Sequence, residues 1–179
     1  MDERMAAGAR TSVPDWPAQV AVDPDGTSYT LVGIGDPAEA IVDSWVGEVF
    51  MKTSPTHNSP VWTIQVDSAE EAFEALDEQL ARARVGWRLM LAGPEADVLS
   101  LRARAIAAGA VDEEIRCRVT SRDRLLVHCA HCTAQTPATT SPGSRLTCSG
   151  CGQPLHVYAH VSRHRGSYLG FHADVEAFR

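Results

Sequence analysis

Four cysteines in the last third of the chain form the clearest chemical pattern. Cys129 and Cys132 make one Cys-x-x-Cys pair, and Cys148 and Cys151 make a second pair after 15 intervening residues. Two residues between cysteines allow a tight knuckle that points both sulfur atoms at one ion, and this double spacing is typical of zinc sites. Because four thiolates complete the tetrahedral coordination of zinc, the predicted site is structural and has no position for a catalytic water.

Iron is the alternative metal at these cysteines, since rubredoxin holds iron in a similar double knuckle and transfers electrons. The insert of residues 133–147 is rich in Thr, Ser and Pro and lacks the aromatic surroundings usual for rubredoxin, so we favour zinc. His128 and His131 flank the first pair and are candidate replacement ligands, although four cysteines suffice. The fifth cysteine, Cys117, stands apart in an apolar segment and is expected to be a buried free thiol.

Short strand-like segments lead into the first pair (125–127) and out of the second pair (156–161). Two knuckles on short strands predict a zinc ribbon, which we assign to residues 121–179. A unit of about 50–60 residues buries too little apolar surface to be secure alone, so the metal should contribute to its folding. The basic run 159–170 either forms a solvated surface turn or holds a carboxylate, a haem propionate or a phosphate.

The segment before the ribbon predicts an α/β domain over residues 29–120. Four apolar runs predict strands at 29–34, 61–66, 87–92 and 115–119. Helices are predicted between them, after Asp36, after a Ser68–Glu71 capping box and after Gly93-Pro94. This alternation predicts a small parallel sheet, and Phe73 and the four tryptophans are expected in its core. Residues 1–28 are predicted to be a tail that wraps onto the core, with a short strand near 20–22.

Gly33-Ile34-Gly35 lies between a predicted strand and a predicted helix, as in the first half of a dinucleotide-binding fingerprint. Asp36 follows at the helix N-terminus, where a carboxylate caps the helix and repels a pyrophosphate. The sequence therefore disfavours nucleotide binding at residues 33–36, and an NADPH-binding domain is kept as an alternative.

The segments 89–95 and 108–115 resemble the last strand–helix unit of the nucleotide-binding half of ferredoxin–NADP reductases. In that family a Cys-Gly-Pro turn faces the nicotinamide, whereas Ala92 precedes Gly93-Pro94 here. The resemblance implies the fold of that half without its hydride chemistry.

Charge and hydropathy narrow the classes of function. The chain has 179 residues, 44% hydrophobic and 22% charged, which excludes a wholly disordered protein. Its net charge of −7 disfavours a nucleic-acid partner. Residues 1–114 contain 20 Asp/Glu and 8 Lys/Arg and are acidic. Residues 115–179 contain 3 Asp/Glu and 8 Lys/Arg and are basic. The two parts either attract each other or meet partners of opposite charge.

Without a signal sequence or an apolar span, we expect a cytoplasmic protein without membrane contact.

The paired Cys-x-x-Cys knuckles, the Leu-Ala-Gly-Pro-Glu segment at 91–95 and the Ser-Arg-His-Arg-Gly-Ser-Tyr-Leu-Gly tail at 162–170 occur together in this chain. This combination resembles the DmmA-like small subunit of dimethylamine monooxygenase. The resemblance implies a subunit of a haem-dependent, NADPH- and O2-using N-demethylase of methylamine degradation. It implies a haem-containing monooxygenase subunit and a flavin/iron–sulfur reductase subunit as partners, which carry those cofactors. We expect no catalytic residues in this chain, because it has no catalytic dyad and no haem-binding Cys-x-x-Cys-His; Thr133 follows Cys132.

Overall fold

The computed structural model describes residues 12–52 and 59–173. A first group of elements alternates strand and helix. It comprises β1 (Ser28–Ile34), α1 (Asp36–Lys52), β2 (Val61–Val66), α2 (Ala69–Arg82), β3 (Trp87–Pro94), α3 (Glu95–Ala107) and β4 (Ile115–Ser121). A second group contains only strands. It comprises β5 (Arg124–Cys129), β6 (Gln135–Thr139), β7 (Arg145–Thr147), β8 (Pro154–Ser162) and β9 (Ser167–His172).

The first sheet has the strand order β2-β1-β3-β4, and all its pairs are parallel. Helix α1 packs on one face around Trp45, while α2 and α3 cover the other face around Leu76 and Leu101. The predicted α/β class with a parallel sheet is confirmed. One core prediction is wrong, because Trp62 is 41% exposed on β2, which is an edge strand.

The start of α2 differs from the predicted capping box. The hydroxyl of Ser68 donates to the Glu71 carboxylate (2.9 Å) and does not cap the helix. The N–H of Ala69 instead donates to the buried carboxylate of Asp97 on α3 (3.1 Å). Tertiary packing thus supplies the acceptor that the local sequence was expected to supply.

Residues 20–23 of the N-terminal segment lie against the first sheet but do not form the predicted strand at 20–22, whereas Ser12 bonds to the Val161 backbone of β8. Trp45 Nε1 donates to the carbonyl of Val20 (2.7 Å), and the N–H of Val22 donates to Glu48 (3.0 Å). Asp23 follows and pairs with Arg88. Side chains of the first sheet and its helix therefore form the hydrogen bonds to the backbone N–H and C=O groups of this segment that a neighbouring strand would otherwise form.

The second sheet has the order β6-β5-β9-β8-β7. Strand β9 lies between β5 and β8, parallel to β5 and antiparallel to β8. Strands β6 and β7 lie within residues 133–147, which the sequence predicted to be a loop. In the basic run 159–170, Arg163, His164 and Arg165 lie in an exposed turn, as one alternative predicted, whereas residues 167–170 belong to β9 at the centre of the sheet.

The second sheet packs against α3. Leu99 of α3 lies in the core of the second sheet, and Trp16 packs against both cores. Arg124 lies 3.6 Å from Asp97, and Arg163 lies 2.6 Å from Asp112. These ion pairs agree with the predicted attraction between the acidic and basic parts. In the part of the chain that the structure describes, no helix is both long and apolar enough to cross a bilayer.

Candidate metal centre

The four predicted cysteines lie at the ends of short strands. Cys129 ends β5 and Cys132 lies in the turn that follows, while Cys148 and Cys151 lie between β7 and β8. Because β5 and β8 both pair with β9, the two turns are held at the same end of the second sheet. The fold therefore brings together two pairs that are far apart in the chain.

The sulfur atoms are spaced as one tetrahedral ion requires. All four lie within 4.8 Å of one another. The Cys129–Cys151 sulfurs are 3.9 Å apart and the Cys132–Cys148 sulfurs 3.5 Å apart. A tetrahedral ion with metal–sulfur bonds of about 2.3 Å needs sulfur–sulfur distances of about 3.8 Å. The donor set thus fits zinc, and it fits iron in the same geometry.

The two knuckles repeat the same backbone turn. In the first, the Thr133 N–H donates to the Cys129 carbonyl (2.9 Å), and the Cys129 N–H donates to the Ala134 carbonyl (2.9 Å). The second knuckle has the equivalent bonds, from Gly152 N–H to Cys148 O (3.0 Å) and from Cys148 N–H to Gln153 O (2.9 Å). The site therefore has an approximate internal two-fold symmetry.

The residue after each second cysteine adopts a left-handed backbone. Gly152 has φ 72° and Thr133 has φ 65°. Thr133 is the one non-glycine residue with positive φ in the described ranges. A β-branched residue in this conformation is strained. Glycine suits this backbone at position 152, whereas the residue type at position 133 gives no indication of it.

Backbone N–H groups surround the sulfur atoms. Gly150 N–H lies 3.4 Å from the Cys148 sulfur. A side chain at Gly150 would place its Cβ 3.2 Å from the Cys132 sulfur and 2.6 Å from Ala134 Cβ, so glycine leaves room for the cluster. Further N–H···S bonds run from Cys151 to Cys148, from Ala134 to Cys132 and from Gln153 to Cys151. Such bonds stabilise thiolates and orient metal ligands.

The thiols are unequal as acids. Hydrogen bonds from the Cys151 and Gly150 N–H groups lower the pKa of Cys148 to about 6. The Ala134 N–H lowers the pKa of Cys132, but burial and the neighbouring sulfurs outweigh it and raise that pKa to about 12. The pKa of Cys151 is also raised, because burial and the Cys148 and Cys129 sulfurs outweigh the Gln153 N–H. Cys148 is therefore the first thiolate available to an incoming cation.

The candidate replacement ligands do not join the cluster, which consists of the four cysteines. His131 is exposed at the tip of the first knuckle, and His128 is buried on β5. Cys117 lies on β4, and burial raises the pKa of its thiol to about 12, so it remains protonated at neutral pH.

The predicted turn at residues 33–36 opens onto an acidic cavity of about 300 Å³. Its lining includes Asp36, Glu39, Asp67 and Glu71 and no basic residue. Phosphate would meet repulsion from every charged group there. This geometry agrees with the expectation that the turn does not favour a nucleotide.

Tyr168 of the basic run does not form an exposed ligand site. It is 2% exposed and donates its hydroxyl to Glu95 at the N-terminus of α3 (3.0 Å). Trp16 Nε1 donates to the same carboxylate oxygen (2.7 Å). Glu95 is thus a buried hydrogen-bond acceptor. The sequence analysis missed it, because an acidic residue in the first turn of a helix is normally expected to face solvent.

Comparison with known proteins gives two matches. Residues 126–171 match the C-terminal domain family described as dimethylamine monooxygenase subunit DmmA-like. The heme-dependent oxidative N-demethylase delta subunit of Ectopseudomonas mendocina (strain ymp) is 44% identical over 101 residues. The aligned region covers 56% of this chain and 57% of that relative, so it spans little more than half of either. No solved structure matches the chain.

Proposed function

We propose that the chain is a member of the DmmA-like family, which its matches to the family's C-terminal domain and to the delta subunit support, and that it is a non-catalytic, zinc-binding subunit of a multi-component haem-dependent amine monooxygenase. The complex would convert a secondary methylamine, O2, NADPH and a proton into a primary amine, formaldehyde, water and NADP+. A separate haem subunit would hold the amine, and a flavin/iron–sulfur subunit would supply electrons. This chain would organise those two subunits.

The sulfur cluster supports the zinc-binding, non-catalytic part of this proposal, and the similarity to the delta subunit supports the enzyme complex. Four cysteine sulfurs within 4.8 Å of one another complete a tetrahedral coordination shell. A metal held in this way has no open position for water or substrate, so it can fold and rigidify the second sheet without activating a reactant. The residues around it hold the ligands in place, with Gly150 leaving the space and the N–H groups bonding to the sulfurs.

The titratable groups outside the four cysteines form no second candidate metal site among the described residues. Within residues 12–52 and 59–173, the cysteines are the one group of three or more His, Cys, Asp or Glu side chains close enough to share an ion. Cys117, the remaining thiol, is kept protonated by its buried surroundings and is a poor nucleophile.

Elemental analysis of the complex purified through a tag on this chain tests the proposal. We expect a colourless chain with about one zinc, together with a haem-containing partner. Cys148→Ser should lose most of the zinc, whereas Cys117→Ser, the matched control outside the cluster, should retain it. A chain purified to homogeneity without metal, or one that retains the metal in Cys148→Ser, would contradict the assigned site. A chain that never co-purifies with a haem subunit would contradict the assigned complex.

The rubredoxin-like alternative is tested on the isolated chain, free of haem and iron–sulfur partners, because the cysteine geometry also fits iron. An isolated chain that is red, contains iron and bleaches with dithionite would show that the metal is iron and that the chain is an electron carrier. The NADPH-binding alternative is tested by calorimetric titration of the isolated chain. The acidic lining at Asp36 and Glu39 leads us to expect no heat of binding.

A further inference from the structure

The outer edge of β2 is an exposed strand edge. β2 pairs with β1 on one side, and no segment within residues 12–52 and 59–173 pairs with its other side. The Tyr29 N–H donates to the Pro60 carbonyl and the Gly35 N–H to the Val66 carbonyl, each at 2.9 Å. In a parallel ladder these bonds direct the even-numbered residues of β2 towards β1.

The odd-numbered residues therefore direct their backbone groups outward. These residues are Val61, Thr63 and Gln65. Their N–H and C=O groups form a row to which a further strand can bond. The row is about 10–13 Å long, since each residue of a strand adds about 3.3 Å.

Within the described ranges, β2 itself carries none of the usual features that protect an edge strand against pairing. Soluble proteins guard edge strands with charges, prolines within the strand or bulges. The sequence of β2, Val-Trp-Thr-Ile-Gln-Val, has no charge and no proline, and its register with β1 is regular. The opposite edge strand, β4, carries Arg116 and Arg118 and a register shift against β3. The absence of protection is thus specific to β2, where Trp62 is also 41% exposed.

The helices on either side of this edge are acidic. Residues 36–82 contain ten Asp/Glu against Lys52 and Arg82. All but one of these acids are exposed on α1, on α2 or at the end of β2. A second copy of the chain would bring two such acidic surfaces together, whereas a basic segment would be attracted to both helices. Charge therefore selects among strands that could pair with the edge.

We propose that the outer edge of β2 binds an extended, Lys/Arg-rich segment of a partner protein as an additional strand of the first sheet. Main-chain hydrogen bonds to Val61, Thr63 and Gln65 hold the segment, and the acidic helices select its basic side chains. The proposal concerns the first sheet, so it does not depend on which metal the cysteines bind or on the identity of the enzyme complex.

The test uses the full chain and a ten-residue peptide of alternating Lys and Val. A matched peptide carries Glu in place of Lys. Thr63→Pro removes an outward N–H without breaking a bond to β1, and proline is tolerated at such edge positions. Thr63→Val keeps the N–H and serves as the control. Circular dichroism and metal content establish that both variants are folded.

We expect the basic peptide to bind in low salt and to slow hydrogen exchange at the Thr63 and Gln65 amides. Thr63→Pro should weaken binding about tenfold or more through the lost ladder bond and steric block, while Thr63→Val should bind as the parent does. Equal binding by the acidic peptide, or by Thr63→Pro, would overturn the proposal, as would no protection at millimolar peptide. Protection of these amides in the peptide-free chain would show that a second copy or the chain's own segment occupies the edge, and it too would overturn the proposal.

Discussion

Tyr168 of β9 donates a hydrogen bond to Glu95 of α3 across the junction between the two sheets. The donor oxygen lies 3.0 Å from the carboxylate oxygen, and both side chains are 2% exposed. The N-terminus of α3 favours the negative charge of this carboxylate. The second sheet, and with it the candidate metal centre, is thereby held against α3 by a hydrogen bond that is shielded from solvent.

Removing the Tyr168 hydroxyl should loosen this junction. Tyr168→Phe is expected to lower the free energy of unfolding by about 1.5–3 kcal/mol, since a buried carboxylate loses a donor. Glu95→Gln keeps an acceptor oxygen for both Tyr168 and Trp16, so its effect should be smaller than that of Glu95→Leu. Urea unfolding followed by tryptophan fluorescence measures all three. A Tyr168→Phe variant as stable as the parent would contradict an energetic role for this bond.

Gly166 provides a second contact at the junction. It has φ 59°, and a Cβ there would lie 2.4 Å from the Leu99 carbonyl oxygen of α3. Gly166→Ala should therefore cost more than the roughly 1–2 kcal/mol of a left-handed alanine alone. Gly143→Ala is the matched control, because Gly143 also has positive φ (90°) but open space around it. Thermal unfolding should show the larger loss at Gly166, and equal losses would mean that the close approach to α3 is unimportant.

The sequence predicted the first sheet better than the second for a physical reason. Strands such as β1 and β3 are continuous apolar runs because both faces are buried, so local periodicity indicates them. Strands β6 and β7 are short and polar. The segment that forms β9 was predicted to be part of a basic tail, and its position between β5 and β8 is evident only in the folded sheet. Their stability comes from pairing between distant segments, which local pattern does not report.

The candidate metal centre shows the same division. The Cys129 and Cys148 pairs were predicted because metal geometry imposes a spacing that is visible in the sequence. Glu95 was missed because its burial depends on how the second sheet packs on α3. The left-handed backbone of Thr133 was missed because threonine disfavours this conformation. The signal that could have found it is its position directly after a Cys-x-x-Cys pair, which is also the position of Gly152.

The strain at Thr133 predicts a stabilising substitution. Thr133→Gly should raise the free energy of unfolding by about 0.5–1 kcal/mol, because glycine adopts this backbone without steric cost. The reciprocal change, Gly152→Thr, should lower it by about 1–2 kcal/mol in the equivalent turn. Denaturant unfolding of the metal-loaded variants measures both. A Thr133→Gly variant that is less stable than the parent, or a Gly152→Thr variant that is more stable, would show that the two knuckles are not equivalent.

Metal binding should release protons. At neutral pH the Cys148 thiol is already largely ionised, whereas the raised pKa values of Cys132 and Cys151 keep those thiols protonated until a cation binds. The apparent affinity for zinc should therefore rise with pH by a factor of about 100 per unit or more, reflecting at least two displaced protons. Calorimetry in buffers of different ionisation enthalpy counts these protons directly. An affinity independent of pH between about 6.5 and 8 would contradict this set of acidities.

Asp23 predicts an acid-dependent contribution to stability in the first sheet. Burial raises the pKa of Asp23, but the hydrogen bonds from Arg88 (2.8 Å) and the Asp25 N–H and the charge of Arg116 outweigh it, so the pKa lies below 3.8. Because the folded pKa is lower than the unfolded one, the stabilisation is complete above about pH 4 and is lost as pH falls through the folded value.

Replacement of Asp23 by asparagine tests this contribution, and the same replacement at the nearby Asp25 is the control. Asp23→Asn should lower the free energy of unfolding at pH 7 by about 2–3 kcal/mol, since it leaves the half-buried Arg88 guanidinium without its anion. The exposed Asp25→Asn serves as the control and should change it by less than about 0.5 kcal/mol. Denaturant unfolding between pH 7 and about pH 3 should show the parent and Asp23→Asn converging in stability as the carboxylate is protonated. A difference that stays constant across this range would mean that Asp23 acts through its shape and neutral hydrogen bonds, with no contribution from its charge.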